Sequence, residues 1–218
     1  ADPVRLAAGL LRRAVAAGAA IYAPVQIKDV LATKHGVVLA AGEQFVETRH
    51  CVFCTGYELL KGVPRKGVKI VSSWAMASQP NAFYPAWLDK TLIWEASDPY
   101  LYLRTTPDRR ILVGGEDEDS DSPAHRTSAM ELKRERLKKK LKTLLPTAVF
   151  ADGRVWAGAF GESADGLPII DDVPGMPNCT VAMGVGGNGT IYSFIAAQLV
   201  SRRLLGHPDP DRDLYRFR

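Results

Sequence analysis

The sequence has few of the residues that build metal sites or disulfide frameworks. Three cysteines and four histidines occur among its 218 residues, and the histidines lack the spacing of metal ligands. An odd number of cysteines without framework spacing is typical of a reducing compartment, so we predict a cytoplasmic protein. We also predict no metal site, and surface or loop positions for the four histidines: His35, His50, His125 and His207.

Two of the cysteines, Cys51 and Cys54, form a CVFC pair that looks like a redox or metal motif at first sight. The pair lies in an apolar run that is typical of a β-strand, where positions i and i+3 face opposite sides of the sheet. One metal ion or one disulfide is hard to form with that geometry. We therefore predict that Cys51, Cys54 and Cys179 are buried structural thiols.

No transmembrane stretch and no signal peptide is recognisable in the sequence, and we predict no membrane span. Hydrophobic residues make up 46% and charged residues 24%, a composition that supports a buried core. The net charge of +4 is modest, and much of it lies in KRERLKKKLK, residues 133–142. That run continues a helical leucine pattern without an aromatic platform beside it. We predict a solvated helix face there, and no binding of nucleic acid, which is the alternative interpretation.

Helix signals open the sequence, with Asp2 as N-cap, Pro3 in the first turn and Gly18 as the stop. Because a natural domain rarely begins so abruptly, we expect a portion of a longer protein. Strand-like runs follow the helix and predict a β-meander with a last buried strand: AIYAPVQIKDVLAT, GVVLAA, QFVETR and HCVFCTG.

The middle of the chain has four further strand-length runs, which predict a mostly antiparallel sheet: VKIVSSWAM, TLIWEA, PYLYLRTT and RRILVGGE. The basic run predicts a helix near residues 128–145 that covers this sheet. In the final third, RVWAGAF, the end of DGLPIIDD and CTVAMG favour strands. Apolar residues at helical spacing from Ile191 onwards predict a terminal helix that Gly206 and Pro208 end.

The sequence GVGGNG, residues 184–189, lies between a buried strand and that terminal helix. Such a turn directs unpaired N–H groups and the positive end of a helix dipole at one point, which can bind phosphate or a carbonyl that gains negative charge. The glycines nearly fit G-x-G-x-x-G, but no acidic residue follows at the end of a second strand for a ribose contact, and a Walker loop is excluded. A tight turn that needs positive φ is the other interpretation.

Four stretches succeed one another along nearly the whole chain: CTGYE, YLYLRTTPDRRILVGGEDE, VWAGAFGESADGLPIID and VAMGVGGNGTIYSFIAAQLV. In this order they resemble the FAD-dependent oxidoreductases of the D-amino-acid oxidase superfamily, which includes glycine, sarcosine and related amine oxidases. The nearest resemblance is to its bacterial branch. The family's amino-terminal Rossmann unit has no counterpart here, so the resemblance implies a carboxy-terminal portion without the part that holds the ADP half of FAD.

The resemblance also implies which residues contact the cofactor. It places Val25 on a strand whose backbone meets the adenine, and Thr55 with Gly56 in a turn beside the pyrophosphate and ribityl chain. It places a second turn against the N1–C2=O edge of the flavin, followed by Ile191 as the first helical residue: Gly186, Gly187, Asn188, Gly189 and Thr190. Noncovalent FAD is implied, because no cysteine lies between Cys54 and Cys179, where sarcosine-oxidase-like members attach the flavin.

Arg104 and Tyr102 are the candidate substrate-binding residues. The family commonly places an arginine near the WAG strand, where this sequence has residues 159–162, AFGE. Arg104 is then the remaining residue for bidentate binding of a carboxylate, and a surface strand arginine is the alternative. No catalytic acid or base is assigned, because hydride transfer needs none when the substrate amine is presented neutral.

Four aromatic residues of the middle sheet are candidates to line the floor of a substrate pocket, although each is also typical of a hydrophobic core: Trp74, Trp94, Tyr100 and Tyr102. Of these we retain Tyr102, and we predict that Trp156 is core.

Together these observations predict an α/β (α+β) protein of two interleaved parts. We expect residues 1–62 and 155–218 to form the remnant of a FAD-binding domain, and residues 63–154 to form an antiparallel-sheet substrate domain with flanking helices. The predicted parent oxidises a small amine or amino acid with FAD, and the fragment alone is inactive. The alternative is a flavin-free binding or scaffold subunit of a heteromeric oxidase. A second copy or a partner chain would cover the apolar face left by the missing unit.

Overall fold

The computed structural model describes residues 2–58, 61–97 and 99–218. It forms two compact units, the first made of Ala1–Gly67 with Ser163–Arg218 and the second of Val68–Glu162. The sequence predicted divisions after residues 62 and 154, and the functional assignment of the two parts stays a prediction. The mixed α/β fold class is confirmed.

The first unit contains two three-stranded sheets and two long helices. Helix α1 is followed by the antiparallel meander β1–β2–β3, and the second sheet has the order β10–β11–β4. In that sheet β10 pairs antiparallel and β4 pairs parallel with the central strand β11. The bounds are α1 Pro3–Ala16, β1 Asp29–Thr33, β2 Gly36–Ala41, β3 Gln44–Thr48, β4 Cys51–Phe53, β10 Ile169–Asp172, β11 Cys179–Met183 and α4 Gly189–Leu204.

Local signals set both ends of α1, as predicted. The Asp2 carboxylate accepts hydrogen bonds from the backbone N–H groups of Val4 and Arg5 at 3.0 and 3.1 Å. Pro3 occupies the first turn, and Gly18 follows the C-cap with φ of 97°, a left-handed conformation that favours glycine. None of the residues of α1 is buried.

The strand predicted for AIYAPVQIKDVLAT is wrong in its first half. Residues 19–28 have no regular structure, and only Asp29–Thr33 forms the strand β1. Pro24 has no N–H group to donate to a ladder, which explains why pairing does not extend through it. Val25 consequently lies outside any strand, with 52% of its surface exposed.

The second unit is built on a five-stranded sheet of order β6–β7–β8–β5–β9. The strands β6, β7, β8 and β5 pair antiparallel, which agrees with the predicted sheet. Helix α3 covers one face, and its Leu137 and Leu141 are fully buried in the core of this unit. The bounds are β5 Val68–Ser78, β6 Leu92–Glu95, β7 Leu101–Thr105, β8 Ile111–Glu118, α2 Pro123–Ser128, α3 Met130–Leu144 and β9 Asp152–Ser163.

The basic run on α3 was predicted to be a solvated helix face. This prediction is wrong for Lys133, which is only 2% exposed. Its ammonium group donates to the Glu116 carbonyl oxygen at 2.6 Å and lies 2.7 Å from a Glu118 carboxylate oxygen. It also lies 4.6 Å from the centre of the Trp74 ring. This lysine is buried because its charge is paired by the adjacent strand β8.

In the part of the chain that the structure describes, no helix has the length and apolar character needed to cross a membrane. Residues 2–58, 61–97 and 99–218 also contain no group of three or more His, Cys, Asp or Glu side chains that could hold a metal ion.

Candidate functional site

Two of the sequence-predicted turns follow adjacent parallel strands of the first unit. Strand β4 pairs with β11 so that Phe53 lies opposite Val181, and both strands end within two residues of that pair. Thr55 and Gly56 follow β4, and the glycine-rich turn follows β11. Because the carboxyl ends of parallel strands meet at one sheet edge, the fold brings these two turns to the same edge, where ligands bind in open α/β sheets.

The glycine-rich turn has the backbone that its composition requires. Gly184 and Gly186 have positive φ values of 69° and 53°, so the interpretation as a turn that needs positive φ is correct for these two residues. A single 3₁₀ turn, Gly186–Asn188, then leads into α4. The helix begins at Gly189, so the prediction of Ile191 as its first residue is wrong by two positions.

The start of α4 has no side-chain cap. Asn188 occupies the N-cap position, but its side chain accepts no hydrogen bond from the first turn. A Cβ atom built on Gly187 would meet no atom within 4 Å, so the outer side of the turn is open. The first N–H groups of the helix therefore remain available to a ligand that carries or gains negative charge.

A second turn is tied to the beginning of α4. The Tyr192 hydroxyl donates to the Gly166 carbonyl oxygen at 3.1 Å, which links the helix to the DGLP turn. Asp165 organises that turn by accepting from the Leu167 backbone N–H and from the Ser163 hydroxyl, each at 3.1 Å. A hydrogen bond from Arg218 is the main cause that lowers the pKa of Asp165 to about 2. The DGLP motif thus has a structural role beside the glycine turn.

The sequence analysis missed a polar contact that joins two strands of this sheet. The His50 Nε2 atom lies 2.9 Å from the Thr180 hydroxyl, and the hydroxyl lies 3.3 Å from an Asp172 carboxylate oxygen. Asp172 also pairs with Arg203 of α4. Burial, followed by the charge of Arg203, lowers the pKa of His50. No local signal could reveal this contact, because the partners are 130 residues apart.

The three cysteines differ in their exposure to solvent, which the sequence analysis did not predict. Cys179 is buried and Cys51, its partner in the ladder, is half-buried, but Cys54 is exposed, so the prediction of a buried thiol is wrong for Cys54. Cys54 lies one residue beyond β4, where the chain leaves the sheet. Burial raises the pKa of Cys51 to about 11, which keeps this thiol protonated at neutral pH.

In the second unit, Tyr102 and Arg104 lie on the sheet face opposite to α3. Their neighbours Leu101 and Leu103 are buried in the core beneath α3, and side chains alternate along a strand. We call the opposite surface the outer face. Arg104 is half-buried between its cross-strand partners Leu92 and Leu112. Among the described residues, no hydrogen bond or ion pair engages its guanidinium group, so its role in binding a carboxylate stays a prediction.

The aromatic residues separate into two groups. Trp74 is 1% exposed and packs under α3, so it belongs to the core rather than to the outer face. Trp94 is 63% exposed and Trp156 is 41% exposed, which shows that the interpretation of these two as plain core is wrong. Tyr100 and Tyr102 are half-buried, with ring centres 6.2 Å apart.

Comparisons with known proteins agree with this architecture. A family model described as FAD dependent oxidoreductase, DAO, matches residues 1–203. Glycine oxidase from Geobacillus kaustophilus is 20% identical with a TM-score of 0.73, over 94% of this chain and 54% of that one. Iminodiacetate oxidase from Chelativorans sp. BNC1 is 18% identical with a TM-score of 0.77, over 97% of this chain and 57% of that one.

L-proline dehydrogenase from P. horikoshii is also similar, at 16% identity and a TM-score of 0.76, over 99% of this chain and 59% of that one. No curated protein matches the sequence. The chain thus spans a little over half the length of the solved structures named here, and at these identities they show the fold. The family model covers most of the sequence, and the chain therefore belongs to the DAO family of FAD dependent oxidoreductases.

Proposed function

We propose that this chain is the carboxy-terminal part of an enzyme that oxidises a small amine or amino acid by hydride transfer to noncovalently bound FAD. The observation that carries the proposal is the pair of turns at the carboxyl ends of β4 and β11, one of which opens a helix without a side-chain cap. Because the chain spans only part of the matched structures, the activity is proposed for the whole protein. We expect no turnover by these 218 residues alone.

The residues at this edge fit the electron-rich edge of a flavin. The turn from Gly186 to Thr190 presents backbone N–H groups and no carboxylate, and the space outside Gly187 is open. Thr55 and Gly56 lie exposed at the same edge, where they can approach the chain that links the flavin to its phosphates. Val25 was expected to contact the adenine from a strand. It lies outside every strand of the described residues, so its proposed contact with the adenine has no structural support.

When bound, FAD supplies the acceptor for the hydride that leaves the substrate carbon. The N–H groups at the start of α4 stabilise negative charge where it develops, and they need no reorganisation because the helix already holds them in place. The outer face of the second unit provides Tyr102 for packing against the substrate and Arg104 for a carboxylate. No side chain of the chain is required to move a proton.

The test is a titration of the purified chain with FAD, followed by visible absorbance and flavin fluorescence. We compare Gly187→Glu with Gly9→Glu, since a Cβ atom at either glycine meets no atom within 4 Å. The first variant adds negative charge at the proposed flavin edge and the second adds it on α1. We expect Gly187→Glu to weaken FAD binding about tenfold, equivalent to about 1.4 kcal/mol, and Gly9→Glu to leave it unchanged.

Equal FAD affinities for the two variants contradict the assignment of the glycine turn. If the unaltered chain binds no FAD, the two turns are insufficient to hold the cofactor, and the proposed binding role of this part fails.

A flavin-free scaffold subunit is the second candidate function, and exposed apolar residues support it. Ile191 and Phe194 on α4 are 64% and 65% exposed, and α1 buries none of its residues. Such surfaces favour association with another polypeptide. Light scattering of the purified chain, with and without FAD, tests this alternative, because a scaffold associates without dependence on the flavin.

A further inference from the structure

The second unit carries exposed apolar side chains in two segments that meet. Phe83 and Val149 lie side by side, because their backbones pair in an antiparallel bridge with N–H···O distances of 2.8 and 2.9 Å. Trp87 follows four residues after Phe83, in a short 3₁₀ turn, and Leu144 lies in the last turn of α3, five residues before Val149. We call Phe83, Trp87, Leu144 and Val149 the exposed patch. Their exposed fractions are 63%, 58%, 44% and 69%.

The two segments of the exposed patch rest on the same core. Tyr84 and Leu88, which follow Phe83 and Trp87 directly, belong to one buried cluster with Leu145, which follows Leu144. Burial of these neighbours fixes the backbone of both segments, while the side chains of the exposed patch remain in solvent. Apolar side chains gathered in this way mark a surface for interaction.

Helix α3 adds positive charge beside the exposed patch. It contains seven basic and two acidic residues, a net charge of +5, in a chain whose net charge is +4. Lys139 and Lys142 lie on its exposed side near the end that carries Leu144, and the exposed Lys90 follows three residues after Trp87. The excess positive charge of the chain is therefore concentrated on the helix that ends at the exposed patch.

These three lysines are not neutralised by the protein. The carboxylates of the neighbouring segments pair with other cations: Asp89 with Arg109, Asp108 with Arg110, Glu135 with Arg134 and Asp152 with Lys138. Among the described residues, no ion pair engages Lys90, Lys139 or Lys142. Their charges are available to an anionic partner.

We propose that the exposed patch and these three lysines attach the second unit to the surface of an anionic phospholipid bilayer. At such a surface, apolar side chains enter the boundary between head groups and acyl chains while lysines face the anionic head groups. Tryptophan favours this boundary, because its ring is apolar and its N–H group can still reach a polar partner. The attachment is peripheral and involves no membrane span.

The composition of the exposed patch favours a bilayer over single-stranded nucleic acid. Nucleic acid binds aromatic rings by stacking its bases on them. Leu144 and Val149 offer no ring for stacking, whereas both gain from contact with acyl chains. A bilayer therefore uses all four residues of the exposed patch, and nucleic acid uses two.

The test is co-sedimentation of the purified chain with vesicles. One set contains phosphatidylcholine alone, and the other contains phosphatidylcholine with phosphatidylglycerol. We expect at least about tenfold tighter binding to the anionic vesicles, since each lysine near an anionic surface contributes about fivefold. Equal affinities for the two sets, or no binding to either, overturn the proposal.

A matched pair of double variants tests the lysines. Lys139→Gln with Lys142→Gln should weaken binding to the anionic vesicles about thirtyfold. Lys34→Gln with Lys66→Gln removes the same net charge from exposed positions of the first unit and should have little effect. Equal losses in the two double variants show that net charge alone drives binding, and they contradict the proposed surface.

A second matched pair tests the apolar contact. Phe83→Ser should weaken binding to the anionic vesicles about tenfold, because it removes an apolar side chain that the bilayer buries. Phe45→Ser, at a phenylalanine of the first unit that is 70% exposed, should leave binding unchanged. Equal losses in these two variants would place the contact elsewhere on the chain.

Tryptophan fluorescence reports insertion directly. Emission of the unaltered chain should shift to shorter wavelength when the anionic vesicles are added. Trp87→Phe should lose this shift and Trp94→Phe should keep it, although both tryptophans are exposed in the free chain. A shift that persists in Trp87→Phe overturns the insertion of the exposed patch.

A single-stranded oligonucleotide serves as the competing partner. If it binds more tightly than the anionic vesicles, and the same lysine variants weaken it, the surface is a nucleic-acid site and the proposal fails. The vesicle assay contains no FAD, so its outcome is separate from the flavin titration.

Discussion

Replacing Lys133 by methionine tests whether its buried charge stabilises the second unit. Methionine keeps most of the length of the side chain and its packing but removes the ammonium group. That group donates to the Glu116 carbonyl oxygen at 2.6 Å, lies 2.7 Å from the Glu118 carboxylate and lies over the Trp74 ring. The substitution therefore leaves three groups without the cation that they face.

The expected loss follows from these contacts. Leaving a buried carbonyl without its donor costs about 1–3 kcal/mol, and removing one partner of a buried ion pair costs about 3–5 kcal/mol. Two features reduce the cost of breaking the ion pair. The Glu116 carboxylate remains paired with Lys140 at 2.6 Å, and the Glu118 carboxylate is partly exposed and remains paired with His125 at 2.6 Å. We expect Lys133→Met to lower the free energy of unfolding by about 3 kcal/mol.

Urea unfolding followed by tryptophan fluorescence measures this loss. All four tryptophans of the sequence lie within residues 68–162, so the signal reports on the second unit. Lys139→Met is the control, because Lys139 lies on the exposed side of the same helix, and it should change the free energy by less than about 0.5 kcal/mol. Equal midpoints and slopes for the two variants would refute the argument that the buried charge is stabilising.

Three further predictions concern other parts of the chain. Gly115→Ala should destabilise the second unit by more than about 2 kcal/mol in urea, because φ is 132° and a Cβ atom would lie 2.2 Å from a backbone oxygen. Gly158→Ala, where a Cβ atom meets nothing within 4 Å, should be nearly neutral, and equal effects would contradict this reasoning.

Since the folded state lowers the pKa of His50, the folded chain should bind its proton less readily than the unfolded chain. The melting temperature should then fall as the pH decreases below about 6.5, and less steeply in His50→Asn; parallel profiles would exclude His50 as the cause. A thiol reagent at neutral pH should modify the exposed Cys54 before the buried Cys179, as peptide mapping after partial labelling would show, and the reverse order would be inconsistent with the fold.

Elements with local signals could be predicted from the sequence. The start and end of α1 follow from Asp2, Pro3 and Gly18, whose capping contacts involve only neighbouring residues. The antiparallel sheet of the second unit follows from runs of β-branched and aromatic residues between turns. The order of the motifs along the chain also indicated the family that the family model confirms.

The sequence-based predictions failed where a local signal competed with a backbone constraint or a distant contact. The strand predicted around Val25 does not form, because Pro24 cannot join a ladder. The helix after the glycine turn begins at Gly189, two residues before the predicted start at Ile191, because Gly189 already has helical backbone angles. Trp94 belongs to a residue type that is typical of core, whereas its strand β6 lies at the edge of the sheet and its side chain is 63% exposed.

The sequence by itself determined the helix caps, the positions of most strands, the glycine-rich turn and the family. These features depend on side chains within a few residues of one another, whose propensities and spacing can be analysed along the chain. Only the tertiary structure decided that the turns after β4 and β11 share an edge, that Lys133 is buried, and that Cys54 is exposed. Each of these depends on which strands pair and in which register, because pairing sets the neighbours of residues that are far apart in sequence.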